Sequence, residues 1–178
     1  MTPRILMVIA QRGFRDEEYE DPKIVFEGHG FKVTTASLAK GECLGKLGAR
    51  AHADVAINEV NPHDYNAIVF VGGPGCAYLL HDHEVLLLAK EAYQYDKVVA
   101  AICMAPSILA NAGLLEGKRA TAFSGEKENL ESKGATFTSN KVEIDGSSTS
   151  LGSGKIITAT GPEAAYDFSE AISKAITE

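Results

Sequence analysis

The chain has 178 residues, of which 45% are apolar and 23% are charged, and its formal net charge is −7. These proportions are typical of one globular domain, expected here over residues 1–178, and they exclude disordered and fibrous chains. The acidic balance and the lack of a basic stripe exclude nucleic acid as an expected partner, and the chain has no apolar run of 18 residues that would predict a membrane span. Three cysteines at unrelated spacings indicate a reducing compartment, so we expect a cytoplasmic protein.

The first third of the chain predicts two strands around a helix. Residues 5–10 form a continuous apolar run, which is typical of a strand covered on both faces. An acidic stretch follows, and then a segment from Pro22 to Gly28 that predicts the first helix. Residues 32–37 predict the second strand, and the glycine-punctuated residues 38–60 predict a hairpin that leaves the main sheet.

The remaining chain alternates between strands and helices. Apolar or extended patterns predict strands over residues 67–71, 98–102, 119–123 and 155–160, with a further extended segment over 135–144. Helical patterns cover residues 83–95 and 127–133, the segment after Cys103, and the segment after Gly161 and Pro162. This alternation predicts a mostly parallel sheet with helices on both faces, in which ligands bind beyond the carboxyl ends of the strands.

Cys103 lies where a predicted buried strand passes into a helix. The backbone N–H groups and the dipole of a helix N-terminus favour the thiolate, which is the nucleophilic form of cysteine. The alternative is that Cys103 is simply a small buried apolar side chain, since free cysteine is among the most buried residue types.

Two other segments are expected to converge on Cys103. The Gly-Gly-Pro-Gly run over residues 72–75 supplies either backbone N–H groups for an oxyanion or only a tight turn. Most carboxylates of the acidic run over residues 16–21 are expected on a solvated face. One of them, however, is expected beside the crevice, where burial raises its pKa and lets its protonated form donate a hydrogen bond to a thiolate.

The combination of these segments resembles a known superfamily, that of the PfpI-type intracellular proteases and the Parkinson-disease-associated protein deglycases, which are relatives of class I glutamine amidotransferases. The residues that carry the resemblance are the elbow sequence Ala101-Ile102-Cys103-Met104-Ala105-Pro106, the run Leu114-Leu115-Glu116-Gly117-Lys118, the pair Gly72-Gly73, Glu18 four residues before Pro22, and Gly161-Pro162. The resemblance spans nearly the whole chain.

The resemblance implies a flavodoxin-like three-layer sandwich and a site built around a nucleophilic Cys103. Glu18 would be its acid/base partner, Gly72 and Gly73 would be the oxyanion glycines, and the backbone amides of Gly73 and Met104 would stabilise an oxyanion. The expected activity is glyoxalase- or deglycase-like thiol chemistry on small α-oxoaldehydes or their protein adducts, without a cofactor. Family members commonly form homodimers or larger homo-oligomers, which we therefore expect here.

Two alternative functions use the same cysteine. One is a non-catalytic redox sensor of the stress response, in which Cys103 is oxidised to a sulfinate stabilised by Glu18. The other is an intracellular cysteine peptidase, but Met104 and Phe123 stand where family members carry a histidine, so no Cys–His pair is predicted. No metal is expected either, because His81 and His83 form a pair without a third ligand.

Overall fold

The computed structural model describes residues 1–178 and contains twelve strands and five α-helices. The strands are β1 (Arg4–Val8), β2 (Arg12–Phe14), β3 (Lys32–Ser37), β4 (Gly41–Gly45), β5 (Arg50–Ala53), β6 (Val55–Ala56), β7 (Ala67–Phe70), β8 (Val98–Ile102), β9 (Arg119–Ala120), β10 (Thr136–Phe137), β11 (Val142–Asp145) and β12 (Lys155–Ala159). The helices are α1 (Asp16–Gly28), α2 (His83–Gln94), α3 (Pro106–Asn111), α4 (Lys127–Ser132) and α5 (Ala165–Thr177).

Seven strands form the central sheet, in the spatial order β11-β12-β8-β7-β1-β3-β6. All neighbouring strands are parallel except β11 and β12, which are antiparallel. Helices α1 and α5 pack on one face, and α2, α3 and α4 cover the other, so the apolar strands are buried on both sides. The predicted three-layer, flavodoxin-like sandwich is confirmed. The longest helices have 13 residues, and none is long and apolar enough to cross a bilayer.

Several predicted elements differ from the structure. The extended segment over residues 135–144 is divided into β10 and β11, and within the predicted hairpin over residues 38–60 the short β6 pairs with β3 in the central sheet. Helix α1 begins at Asp16, so the acidic run lies within its first turns and Pro22 lies inside the helix. The strand predicted over residues 119–123 is reduced to β9, which pairs with β10 in a separate two-stranded sheet. It ends early because the next backbone groups bond to other partners: the Thr121 N–H donates to the Thr158 hydroxyl and the Phe123 N–H donates to the Cys103 carbonyl.

The chain turns sharply at Cys103, between β8 and α3. Cys103 has a φ of +64°, in the left-handed region that side-chain-bearing residues rarely adopt and that costs about 1–3 kcal/mol. Two hydrogen bonds of 2.9 Å hold this conformation, from the Cys103 N–H to the Ala159 carbonyl and from the Phe123 N–H to the Cys103 carbonyl. The strained turn at the end of a buried strand is the geometry of a nucleophile elbow.

The loop after β7 packs directly against the start of α1. The Arg15 N–H donates to the Gly72 carbonyl over 2.9 Å. Gly73 has a φ of +103°, and a Cβ at this position would collide with the backbone nitrogen of Arg15 and lie 2.7 Å from the Gly13 carbonyl oxygen. Glycine is therefore required at residue 73 for its conformation and for its lack of a side chain.

We expect Gly73→Ala to lower the free energy of unfolding by about 2 kcal/mol more than Gly48→Ala does. Gly48 has a similar φ of +100° but has open space around the Cβ position, so the pair of variants separates backbone collision from conformational strain. Denaturant titration of both variants measures this difference. Equal losses would show that the loop after β7 can move away from α1 at no cost.

Candidate active site

Three elements bring the predicted residues Cys103, Glu18 and Gly72 together. Glu18 lies in the first turn of α1 and is fully buried, while Gly72 follows β7 and Cys103 follows β8. A Cβ on Gly72 would lie 2.7 Å from Oε1 of Glu18 and 2.8 Å from the Cβ of Cys103. The glycine thus leaves the space in which the carboxyl and the thiol side chain approach each other.

The sulfur of Cys103 also lies close to two backbone amides. These are the N–H groups of Gly73 and Met104, both of which act to lower the pKa of the thiol. They are the groups from which the sequence predicted an oxyanion site. Because the amides are fixed by the loop and the elbow, they offer donors to a negative charge that develops at or next to the sulfur.

Burial dominates the electrostatics of Glu18. It raises the pKa of this carboxyl to about 7, against smaller opposing contributions from the Cys103 thiol, the Arg15 charge and the Gly72 N–H. Neither carboxyl oxygen makes a well-aligned hydrogen bond within the chain. A buried carboxyl without fixed partners favours its neutral form, so Glu18 carries a proton in a substantial fraction of molecules near neutral pH.

The environment of Cys103 opposes the expected effect of the helix N-terminus, which favours the thiolate. Burial raises the pKa of the thiol to about 12, and the negative charge of Glu18 contributes in the same direction. These effects outweigh the two amides. Because a neighbouring carboxylate and thiolate repel each other, Glu18 and Cys103 together retain one proton over a wide pH range.

The carboxylates of the acidic run over residues 16–21 do not all lie on a solvated face. Glu20 and Asp21 are exposed, as expected. Asp16, in contrast, is buried, and its carboxylate accepts hydrogen bonds from the N–H groups of Leu47 (2.9 Å) and Ala49 (2.8 Å) in the turn between β4 and β5. The sequence does not identify this role of Asp16, because its partners lie some thirty residues away in the hairpin.

Two adjoining cavities open at Cys103. The smaller has a volume of about 220 Å³ and is lined by Arg15, Glu18, Lys46, Gly73, Pro74, Cys103, Met104 and Phe123. The larger, of about 560 Å³, shares Arg15, Cys103 and Phe123 with the first. The larger cavity has a hydroxyl-rich wall, formed by Thr121, Ser124, Thr138, Ser139 and Thr160. Sequence reasoning did not identify Arg15 or Lys46, since Lys46 reaches the site only through the fold of the hairpin.

The other cysteines and the histidines lie elsewhere. Cys43 and Cys76 are buried, while Cys103 is partly exposed. All five histidines are exposed, and none lines the two cavities at Cys103. His81 and His83 flank Asp82, whose carboxylate caps α2 by accepting the N–H groups of Glu84 and Val85. Phe123 is half exposed and lines both cavities together with Cys103.

Comparison with known proteins identifies the family of this chain. A family model described as the DJ-1/PfpI family matches residues 3–175. The chain belongs to the DJ-1/PfpI family. An uncharacterized protein of Methanocaldococcus jannaschii is 43% identical over 97% of this chain and 82% of its own length. A deglycase of Pyrococcus abyssi is 32% identical over 73% of this chain and 81% of its own length.

Solved structures show the same fold over the full chain. A ThiJ/PfpI domain protein from Brachyspira murdochii superimposes with a TM-score of 0.92 and 35% identity, covering 99% of this chain and 97% of that protein. DJ-1beta of Drosophila melanogaster superimposes with a TM-score of 0.85 and 25% identity, over 99% of this chain and 91% of its own.

The raised pKa of Glu18 predicts a pH-dependent stability. The ordinary value of this pKa is 4.5 and the folded value is about 7, so the folded state binds the proton more tightly than the unfolded chain. The resulting stabilisation is complete below pH 4.5 and is lost as the pH rises through 7, a change of about 3 kcal/mol in the free energy of unfolding.

We therefore expect Glu18→Gln to be more stable than the wild type at pH 8 by up to about 3 kcal/mol, with the advantage shrinking towards pH 5. Urea titrations at both pH values measure it. Glu20→Gln, on the exposed side of the same helix, should retain the pH dependence of the wild type. A wild type and a Glu18→Gln variant with parallel pH profiles would contradict a buried, proton-binding Glu18.

Proposed function

We propose that this protein is a cofactor-independent enzyme that uses Cys103 for glyoxalase- or deglycase-like chemistry on small α-oxoaldehydes or their protein adducts. The observation that carries the proposal is the approach of the buried Glu18 carboxyl to the Cys103 thiol across Gly72, at the wall of an open cavity. Relatives in Pyrococcus that are named deglycases support it. The three free cysteines support a cytoplasmic location, and the family resemblance supports a homodimer or a larger homo-oligomer.

The reactive form in this proposal is the Cys103 thiolate beside a protonated Glu18. Burial is the largest cause of the raised pKa of the thiol, and the repulsion from an ionised Glu18 adds to it. When the proton resides on Glu18, that repulsion is absent and the carboxyl O–H becomes a donor to the sulfur. The pair then holds a single negative charge on the nucleophile, next to the amides of Gly73 and Met104.

The reaction can be written without an external oxidant or reductant. The thiolate attacks the aldehyde carbon, the new C–S bond displaces the π electrons onto oxygen, and the proton of Glu18 completes a hemithioacetal. The Glu18 carboxylate then removes the proton from that carbon and returns it to the neighbouring ketone carbon. The hydroxyl proton of the hemithioacetal moves to the former ketone oxygen, which leaves a thioester and an alcohol. Water hydrolyses the thioester to a 2-hydroxy carboxylate and regenerates the thiol. None of these steps uses an imidazole.

A redox-sensing role is the second candidate, and one observation favours it. Cys103 is the partly exposed thiol of the three, and its neighbouring amides would also bind the oxygens of a sulfinate. In that case Cys103 reacts with peroxide but does not turn over an aldehyde. Peptide hydrolysis has less support, because no histidine of the chain reaches the cavities to protonate a leaving amine.

We expect the wild type to convert methylglyoxal to lactate, and Cys103→Ala to lose at least about 10³-fold in kcat/KM because the covalent step is removed. Cys43→Ala, which alters a buried thiol outside both cavities, serves as the matched control and should retain turnover. Coupled lactate detection gives both rates. Sulfinate formation at Cys103 in a wild type that makes no lactate would favour the redox sensor instead.

A further inference from the structure

The smaller cavity beside Cys103 is lined by more basic than acidic side chains, although the protein as a whole is acidic. The net charge of the chain is −7, but the ionisable residues beside Cys103 in this cavity are two cations, Arg15 and Lys46, and one carboxyl, Glu18. Burial favours the neutral form of that carboxyl. The cavity therefore presents positive charge to a small ligand, although the net charge of the chain is negative.

The position of Lys46 is fixed by its neighbours in the hairpin turn. The Lys46 N–H donates to the Phe14 carbonyl over 2.8 Å, and the Asp16 carboxylate accepts the N–H groups of the residues that follow. Gly45 makes this arrangement possible, because a Cβ there would lie 2.5 Å from Oδ1 of Asp16. Asp16 is thus a positioning residue that holds the turn carrying Lys46 at the cavity.

Both cations retain free hydrogen-bonding capacity. Lys46 makes no ion pair within the chain. In Arg15, Nε and Nη2 both donate to Oε2 of Glu17, at 3.0 and 2.8 Å, and Nη1 has no partner within the chain. A planar guanidinium and a lysine ammonium on one cavity wall are the groups that recognise a carboxylate.

We propose that Arg15 and Lys46 form a carboxylate-binding site beside Cys103, so that the favoured substrates are α-oxoaldehydes that also carry a carboxylate. The assignment of a reaction to this site rests on the proposed function. The carbon chemistry is unchanged: the aldehyde carbon becomes a carboxylate, the ketone carbon becomes an alcohol and one water is consumed. The substrate's own carboxylate takes no part in bond formation and serves to orient the aldehyde at the sulfur.

Two alkylating agents of nearly equal size test the binding site independently of turnover. Iodoacetate is anionic and iodoacetamide is neutral, so the ratio of their rates at Cys103, divided by the same ratio for N-acetylcysteine, isolates the effect of the site's charge. Without an effect of the site's charge this normalised ratio equals one. We expect a value of at least about 5 at low salt, which should fall as added salt screens the charges. Mass spectrometry of the Cys103 peptide gives both rates.

Variants of Lys46 identify the source of the preference. Lys46→Met should lower the normalised ratio by about threefold to fivefold, while Lys46→Arg should preserve it. Lys133→Met is the matched control, since Lys133 is also an exposed lysine without an ion pair but lies outside the cavity, and it should leave the ratio unchanged. A wild-type ratio near one, or a ratio that Lys46→Met leaves unaltered, would overturn the proposed site.

Turnover separates this inference from the proposed function. With 4,5-dioxopentanoate as the anionic substrate and methylglyoxal as the neutral one, we expect a lower KM for the anion, and a rise in that KM alone in Lys46→Met. An iodoacetate preference without turnover of either aldehyde would contradict the proposed function and leave the anion site supported. Turnover of both aldehydes with equal KM values and no iodoacetate preference would overturn the carboxylate site and leave the proposed function supported.

Discussion

The approach of two acids, the buried Glu18 carboxyl and the partly exposed Cys103 thiol, is the constraint on which the site depends. Each group has its pKa raised chiefly by burial, and a negative charge on either one opposes the ionisation of the other. A pair of this kind holds one proton between its members near neutral pH and can present either a carboxylate or a thiolate. The proposed chemistry uses both forms in turn, since Glu18 first donates a proton and then removes one.

The fold is arranged so that these two side chains meet and cannot easily separate. The left-handed turn at Cys103 is held by hydrogen bonds to two different segments of the chain, one of them the carboxyl end of β12. Gly72 leaves space between the carboxyl and the thiol side chain, and Gly73 allows the loop to contact α1 through backbone atoms. The conformational strain of the elbow and the burial of Glu18 both lower the stability of the folded protein. The apolar packing on the two faces of the central sheet offsets them.

Much of this arrangement could be predicted from the sequence, because the relevant signals are local. Continuous apolar runs predicted the buried strands, and the Gly-Gly pair and the elbow cysteine at their ends predicted where the site lies. The role of Asp16 and the position of Lys46 could not be predicted, since both depend on a hairpin that folds back onto the start of α1. The sign of the Cys103 pKa shift also required the structure: the helix N-terminus is a local feature, whereas burial and the charge of Glu18 are tertiary effects.

Titration of the Cys103 thiolate through its ultraviolet absorbance shows whether Glu18 holds the proton and leaves the single negative charge of the pair on sulfur. Cys103→Ala supplies the baseline, and Glu18→Leu supplies a side chain of similar volume that cannot donate. We expect thiolate absorbance near neutral pH in the wild type. In Glu18→Leu the midpoint should rise by roughly one pKa unit or more, because a hydrogen bond to a charged group is lost. A wild type without thiolate below pH 10, together with earlier ionisation in Glu18→Leu, would show that Glu18 acts as a fixed negative charge and would contradict a proton held on Glu18.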